Sequence, residues 1–203
     1  MDSPLRSVEP FLERAVNFMS KYEDILDATL DLTIEEGLQS ITFAKIFKRA
    51  NVGSGTFYNY FENKEDLVNK LFLHIFNKMS QSILENYNPE GSVYEKFKFF
   101  LEKLASFALN HPKDLQFLEA HFHSPYIKED IRSQTFQDVN LFSEILLEGQ
   151  RQGILKEMNV MMSFQIVEGI ILSVIKGYLN QKYPLTEHEI QLAIEASWKA
   201  IKF

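Results

Sequence analysis

The sequence of 203 residues contains no cysteine. Disulfide bonds, thiolate catalysis and cysteine-bound zinc are therefore excluded, and the composition fits a reducing compartment. Glycine and proline are also scarce, with eight and six residues. The chain can consequently form long regular elements. Because a composition without cysteine suits a reducing compartment, we expect a cytoplasmic protein.

Long apolar runs are scarce as well. The longest, residues 170–175, is broken by Ser173 and is far shorter than the roughly 20 residues that span a bilayer. Charged side chains at Asp2, Arg6 and Glu9 interrupt any signal-peptide core near the start. We therefore expect no membrane among the partners of this protein.

Positive charge is in short supply, because 21 lysines and arginines face 28 acidic residues and the formal net charge is −7. This balance argues against a nucleic-acid partner. Residues 42–64 nevertheless hold Lys45, Lys48, Arg49 and Lys64 against Glu62 alone. A small basic patch on an acidic body can contact phosphates locally. On charge alone, a solvated face without a partner explains the pattern equally well.

Apolar residues recur at three- and four-residue steps along nearly the whole chain, which is the period of an amphipathic α-helix. The predicted helices are residues 4–19, 22–36, 64–86, 93–109, 114–123, 128–152, 160–181 and 187–202, with two short helices between 42 and 61. No strand pattern or internal repeat stands out. The fold class predicted is all-α, with about nine or ten helices.

Residues 42–61 predict two short helices joined by a tight turn. Thr42 can cap the first helix, because its hydroxyl can accept a hydrogen bond from a free backbone N–H. Ile46 and Ala50 lie four residues apart and should face the core. Asn51 suits a turn that needs a positive φ angle.

The second short helix, about residues 54–61, is strongly aromatic. Phe57 and Phe61 lie four apart and can anchor it inward. The side chains left to point outward are those of Ser54, Thr56, Tyr58, Asn59 and Tyr60. Hydroxyls and amides of this kind suit phosphate contacts and base-edge hydrogen bonds in a major groove. The alternative is a helical hairpin packed for structure, with tyrosines as surface residues.

The residues from Gly55 to Phe61, followed by Asn63 to Leu67, resemble the recognition helix and the next helix start of the tetracycline-repressor (TetR/AcrR) family. Upstream, Ile25, Leu26, Ala28, Glu36, Gly37, Thr42, Ile46 and Ala50 are similar to the preceding helices of that family. The resemblance implies a three-helix DNA-binding domain at residues 1–66, with a helical extension over 1–20. A larger helical domain at residues 67–203 would bind an effector and dimerise.

The resemblance also implies roles for single residues. Thr42 would present its helix N-terminus to one phosphate and Lys64 would pair with another. The implied DNA contacts are Thr42, Ser54, Gly55, Thr56, Tyr58, Asn59, Tyr60 and Lys64. The family usually has glycine at position 51, a capping serine at 53 and a small residue at 47. Here Asn51, Gly53 and Phe47 stand there, and Phe47 predicts altered packing within the DNA-binding domain.

Ten of the 18 phenylalanines lie between residues 72 and 142, the region that lines the effector cavity in the resembled family. The candidate wall residues are Phe76, Phe99, Phe100, Phe107, Phe117, His121, Phe122, Tyr126 and Phe136. An aromatic wall with few polar groups would take an apolar or planar small molecule. An aromatic-rich core explains any one of these residues at least as well.

The helix predicted at residues 160–181 is apolar on two faces and must be buried on both. In the resembled family, the last two long helices of each subunit form a four-helix dimer interface. The candidate interface residues for a homodimer are Phe142, Leu146, Ile166, Gly169, Ile170, Ser173 and Gly177. The alternative is that residues 187–202 of the same chain cover the second face.

The predicted function is therefore a ligand-responsive repressor, released from a palindromic double-stranded DNA operator by a small apolar or aromatic ligand. Two other classes were weighed. A helical enzyme would need a nucleophile–base pair, a phosphate-cradling loop or metal-ligand spacing, and none stands out, so no catalytic residue, metal or cofactor is expected. A helical ligand-binding protein without DNA binding stays open, given the net charge and the departures at Asn51 and Gly53.

Overall fold

The computed structural model describes residues 9–203, with the side chains of residues 9–19 and 136–139 left out. The predicted helix start at residues 4–8 and the side chain of Phe136 lie outside the described residues. Over residues 9–203 the chain forms nine α-helices and no β-strand beyond one isolated bridge between Leu155 and Lys202. The helices are α1 (Glu9–Glu36), α2 (Phe43–Ala50), α3 (Ser54–Tyr58), α4 (Lys64–Leu84), α5 (Val93–Asn110), α6 (Pro112–His121), α7 (Glu129–Arg151), α8 (Val160–Leu179) and α9 (Glu187–Ile201). The all-α prediction is confirmed.

Helix α1 is one continuous helix of 28 residues, so the prediction of two helices with a break near residue 20 is wrong. No glycine or proline stands between residues 11 and 36 to end the helix. Two buried threonines are compatible with it, because the hydroxyls of Thr29 and Thr33 donate to the carbonyls of Ile25 and Thr29, each at 2.7 Å. Each hydroxyl is thus satisfied inside its own helix.

The remaining boundaries follow capping chemistry. Ser92 and Glu95 form a capping box at the start of α5, and Thr186 and Glu189 form another at the start of α9. Helix α6 begins at Pro112, two residues before the predicted start, since proline suits the first helical position.

The described helices group into two compact units. The first unit comprises residues up to 73 together with 116–128, and the second comprises 74–115 together with 129–203. Helix α4 runs from the first unit into the second, and the boundary predicted after residue 66 falls inside it. The membership of residues 116–128 in the first unit has no signal in the sequence.

A buried asparagine on α4 explains part of that membership. The Asn69 side chain donates to the carbonyls of Glu65, at 2.8 Å, and Tyr126, at 2.9 Å. Its oxygen accepts from the backbone N–H of Lys128 at 3.0 Å. Lys128 also lies 3.3 Å from the Glu65 carboxylate. The turn after α6 is thereby bound to the first turns of α4.

The second unit packs α5, α7, α8 and α9 around one apolar cluster. Phe100 stacks on Phe142 with ring centroids 4.3 Å apart, and Phe97 contacts Trp198 at 5.0 Å. Gly149 allows Leu155 to approach closely, because a β-carbon there would lie 2.6 Å from a Leu155 methyl group. This unit therefore has a closely packed core of its own.

Helix α8 is long and apolar enough to cross a membrane by length and composition alone, which the short run at residues 170–175 did not suggest. Core helices of soluble proteins pass the same test. Val167, Ile171 and Ile175 of α8 belong to the apolar cluster of the second unit, so one face of this helix is already packed against its own chain.

We expect Asn69→Ala to lower the free energy of unfolding by about 2 kcal/mol, because it leaves the Lys128 N–H and the Tyr126 carbonyl without their partner. Asn77→Ala is the matched control, since Asn77 is exposed on the same helix and should change stability by less than about 0.5 kcal/mol. Urea unfolding measures both, and hydrogen exchange at the Lys128 amide reports the local loss. Equal stability of the two variants would contradict the role given to Asn69.

Candidate nucleic-acid interface

Helices α2 and α3 meet at a turn built as the sequence predicts. The Thr42 hydroxyl accepts from the Lys45 backbone N–H at 3.4 Å and caps α2. Ile46 and Ala50 are buried. Asn51 adopts φ 50° and ψ 51°, the left-handed conformation, which asparagine tolerates better than most residues. The chain therefore reverses within three residues, and α3 begins at Ser54.

Helix α3 ends at Tyr58, earlier than the predicted end at residue 61. The reason is a local tightening, because the backbone N–H groups of Tyr60 and Phe61 both bond to the Phe57 carbonyl, at 3.0 and 3.1 Å. Gly53 precedes the helix without a side-chain cap. A helix of five residues has no stability of its own, so its position must come from packing.

That packing is aromatic. Phe57 is fully buried, and its ring lies 5.1 Å from Phe43, 5.3 Å from Phe47 and 5.3 Å from Phe61. Tyr22 of α1 stacks on Phe61 at 5.3 Å. Phe47, the departure from the family pattern, thus fills space against Phe57 and stacks on Phe43. These rings hold α3 against α1 and α2.

The residues predicted to contact DNA differ in their exposure. Thr42, Ser54, Gly55, Tyr58 and Asn59 are exposed, whereas Thr56, Tyr60 and Lys64 are partly buried. Tyr58 is 55% exposed although its ring edge rests on Phe57 at 5.3 Å. More than half of the Tyr58 side chain is therefore accessible while its ring stays in contact with the buried Phe57.

Tyr60 is directed more towards the protein than predicted. Its ring lies 5.9 Å from Tyr22 and 6.1 Å from Phe61, and burial raises the pKa of its phenol. Its backbone carbonyl accepts from Lys70 at 2.8 Å. Lys70 also pairs with Asp66 at 2.9 Å and lies over the Phe61 ring. Sequence reasoning missed Lys70, whose only signal was its four-residue spacing from Asp66.

Lys64, at the start of α4, is partly engaged within the protein. Its ammonium donates to the Ile41 carbonyl at 2.9 Å, and burial lowers the pKa of the ammonium group. An ammonium has three donors, so donors remain for a phosphate. The Ile41 contact fixes this lysine beside Thr42, the residue that caps α2.

The basic patch predicted from charge is weaker than the residue count suggests. Arg49 forms two hydrogen bonds with Glu35, at 3.0 and 2.6 Å, and lies 3.8 Å from Asp31. The hydrogen bond to Glu35 is the main cause that raises the pKa of Arg49. Lys45 pairs with Glu36. Carboxylates of α1 thus accompany two of the four basic residues that the sequence placed here.

The candidate wall residues of an effector cavity divide between the units. In the first unit, Phe117 is buried with its ring 4.8 Å from His121, and Phe122 lies 6.0 Å from Phe72. Tyr126 contributes its carbonyl to Asn69. Burial lowers the pKa of His121, which favours the neutral imidazole.

In the second unit, Phe76, Phe100 and Phe107 are buried, and Phe99 packs on Tyr87 at 5.9 Å. The role of each of these four as a ligand contact stays a prediction. Among the described residues, no group of three or more histidine or acidic side chains could hold a metal ion.

Two of the predicted interface residues belong to the chain's own core. Phe142 is 1% exposed and Leu146 is fully buried, so neither can present a side chain to a partner, and Leu147 is the exposed neighbour. The resemblance implied that this helix takes part in the dimer interface, without deciding which of its faces does so. Gly177 is also covered, because the ring of Tyr183 lies against it. The Tyr183 hydroxyl donates to the Val174 carbonyl at 2.7 Å.

The other predicted interface residues remain accessible. Gly169 and Ser173 are exposed, and Ile166 and Ile170 are partly so. Apart from its chain neighbours and the backbone of its own helix, no atom of the described residues lies within 4 Å of a β-carbon built at Gly169. The opposite face of α8 packs against α9 within the apolar cluster. Residues 187–202 therefore cover one face of α8, as the alternative required, but leave this one open.

A capped helix, a left-handed turn and a short helix that presents hydroxyls outward define a helix-turn-helix DNA-binding module. A family model described as "Bacterial regulatory proteins, tetR family" matches residues 25–71. A second, described as "Tetracyclin repressor-like, C-terminal domain", matches residues 72–203. The chain belongs to the TetR family of transcription regulators.

Individual relatives agree with this assignment. The fatty acid metabolism regulator protein of Bacillus subtilis is 29% identical over 170 residues, 81% of this chain and 88% of the relative. A TetR family transcription regulator from Marinobacter aquaeolei shares the fold with a TM-score of 0.81 at 21% identity, covering 90% of this chain and 96% of that one. The regulator FadR from Bacillus subtilis, crystallised with stearoyl-CoA, has a TM-score of 0.68 at 23% identity, covering 87% and 97%.

Proposed function

We propose that this protein is a homodimeric repressor that leaves a palindromic operator when a small apolar ligand binds. The observation that carries the proposal is the exposed, hydroxyl-rich surface of α3, fixed on buried rings. A dimer would place two such helices about one DNA turn apart, roughly 34–36 Å, or a multiple of it, so the operator should be palindromic.

The residues divide into two roles on DNA. Tyr58, Thr56 and Asn59 would contact base edges in the major groove, where hydroxyls and amides discriminate base pairs. Contacts to phosphates would come from Thr42, Ser54, Gly55, Tyr60 and Lys64, which fix the register of the protein on the duplex. Lys48, exposed on α2, would add a further phosphate contact.

We expect Tyr58→Ala to weaken binding to the gene's own upstream DNA at least about tenfold, since a lost base contact costs about 1–3 kcal/mol. Lys64→Ala should weaken binding and reduce the slope of log affinity against log salt by about one per protomer. Tyr94→Ala is the control, because Tyr94 is an exposed tyrosine of α5. Gel shifts at two salt concentrations measure these effects.

A Tyr58→Ala variant that binds like wild type would contradict the reading of α3 as the recognition helix. A wild-type protein that binds no upstream DNA, even at low salt, would favour the second candidate function, a ligand-binding protein without DNA binding. The pairing of Lys45 and Arg49 with carboxylates of α1 favours this second candidate, because paired cations attract DNA phosphates less.

The open face of α8 supports the homodimer. Positions 162, 166, 169, 170 and 173 fall within about 100° of the helix circumference. Their side chains include Met162, which is 57% exposed, and the small residues Gly169 and Ser173. Small residues let a second helix approach closely, and a twofold axis would pair this stripe with its copy.

We expect Gly169→Trp to give a folded monomer, because a β-carbon at this exposed position meets no side chain of the described residues within 4 Å, whereas the added ring would block a partner helix. Ala196→Trp, at an exposed position of α9, is the control and should stay dimeric. Sedimentation at micromolar concentration, with circular dichroism as a check on folding, separates these outcomes. A monomeric wild type, or a dimeric Gly169→Trp variant, would refute this interface.

The ligand class follows from the aromatic side chains and from the relatives. One structural relative holds stearoyl-CoA, and one relative in sequence is named a fatty acid metabolism regulator. We extend this to the present chain as a ligand with a long acyl chain, whose apolar tail would contact the phenylalanines predicted to line the cavity. Binding to the state that does not fit the operator would lower DNA affinity.

Stearoyl-CoA is therefore the first ligand to test, with free coenzyme A as the matched control that lacks the acyl chain. We expect stearoyl-CoA to raise the thermal unfolding midpoint, since a ligand at 100 times its Kd stabilises by about 2.7 kcal/mol. It should also release the protein from upstream DNA in a gel shift. Equal effects of both compounds, or no effect of either, would exclude a long-chain acyl effector.

A further inference from the structure

The end of α1 places a row of carboxylates beside the basic residues of α2. Lys45, Lys48 and Arg49 fall within about 100° of the α2 circumference, away from its buried residues. Arg49 binds Glu35 through two hydrogen bonds and lies 3.8 Å from Asp31. Lys45 pairs with Glu36. Three carboxylates thus lie against two of these three cations, Lys45 and Arg49.

These pairs lie at the surface. The side chains of Lys45, Arg49, Asp31, Glu35 and Glu36 are 34–49% exposed. Exposed ion pairs contribute little to stability, because water screens them and ordering long side chains opposes them. Their effect on an approaching polyanion is larger, since the carboxylates stay beside the cations whether or not each hydrogen bond persists. A need for stability therefore does not account for the arrangement.

We propose that Asp31, Glu35 and Glu36 occupy Lys45 and Arg49 in place of DNA phosphates and so lower the affinity for DNA that lacks the operator. This inference rests on the proposed DNA-binding function and adds a determinant of the sequence-independent affinity for DNA. Binding to non-specific DNA comes almost entirely from cations that release counterions from the phosphates. With two cations neutralised on each protomer, affinity depends more on the side chains of α3 that read bases.

The physical consequence concerns the ratio of affinities. A regulator searches for one operator among a very large number of competing sites, so the ratio of specific to non-specific affinity decides its occupancy. Carboxylates that cancel phosphate-binding cations weaken both kinds of binding. They spare the hydrogen bonds to bases, which exist only at the operator, so the dependence of affinity on sequence is retained.

The test replaces Glu35 and Glu36 by glutamine in the full-length protein and measures binding to a labelled duplex of random sequence by fluorescence anisotropy. We expect the double variant to bind this duplex at least about fivefold more tightly than wild type at about 50 mM salt. Its log affinity should also fall more steeply with log salt, by up to about two per protomer. The affinity for upstream DNA should rise as well, because contacts to phosphates are common to both kinds of binding.

Two further variants separate the local effect from net charge. The control variant Glu23→Gln/Glu90→Gln changes the net charge by the same amount. Both positions are exposed, and neither forms an ion pair within the described part of the chain. This control should bind random DNA like wild type. Adding Lys45→Gln and Arg49→Gln to the Glu35→Gln/Glu36→Gln variant should return random-DNA affinity to the wild-type value. Circular dichroism and thermal unfolding confirm that each variant is folded. If the double variant does not fold, Glu35→Gln and Glu36→Gln are tested singly, and each should give about half of the increase in affinity for random DNA.

Equal tightening in Glu35→Gln/Glu36→Gln and in the control, or no tightening in either, overturns the inference. These outcomes differ from failure of the proposed function, which shows as a wild-type protein that does not prefer its upstream DNA. The random-sequence duplex tests the carboxylates in both situations, because it needs no operator.

Discussion

The structure of the DNA-binding surface depends on the burial of one ring, that of Phe57. Helix α3 is too short to persist alone, and the contacts of Phe57 with Phe43, Phe47 and Phe61 are what hold it in place. Tyr58 can expose its hydroxyl in a defined direction only because the adjacent residue is anchored. The aromatic residues thus divide into two groups, since the buried rings hold α3 in place and Tyr58 remains exposed, where the proposed function gives it a contact with DNA.

Charge works differently on this surface. The acidic composition argues against a DNA-binding protein, whereas the local cluster of lysine and arginine offers a means of contacting phosphates. In the structure, carboxylates of α1 accompany part of that cluster, so attraction to phosphates is limited even there. The proposed function therefore relies on neutral hydrogen-bonding groups, on a surface where carboxylates pair with two of the four local cations.

Much of the fold could be predicted because its signals are local. Helical periodicity, the Thr42 cap, the Asn51 turn and the inward positions of Phe57 and Phe61 depend on residues close together in the chain. The errors arose where distant residues decide the outcome. Leu146, a candidate for the dimer interface, is buried in the chain's own core, because helical periodicity does not set which apolar side of a helix meets its own chain. The pairing of Arg49 with Glu35 spans 14 residues and two helices, and the burial of Gly177 depends on Tyr183 beyond the helix end.

The hydrogen bonds of Asn69 carry a consequence for engineering. They join α4 to residues 126–128, which lie more than fifty positions further along the chain. If residues up to 73 were transplanted onto another regulator, residues 116–128, which belong to the same unit, would be left behind. The buried amide of Asn69 would then contact residues of the other protein. Chimaeras built from this protein should exchange residues 116–128 together with the first helices, or supply a replacement turn that offers one carbonyl and one N–H to Asn69.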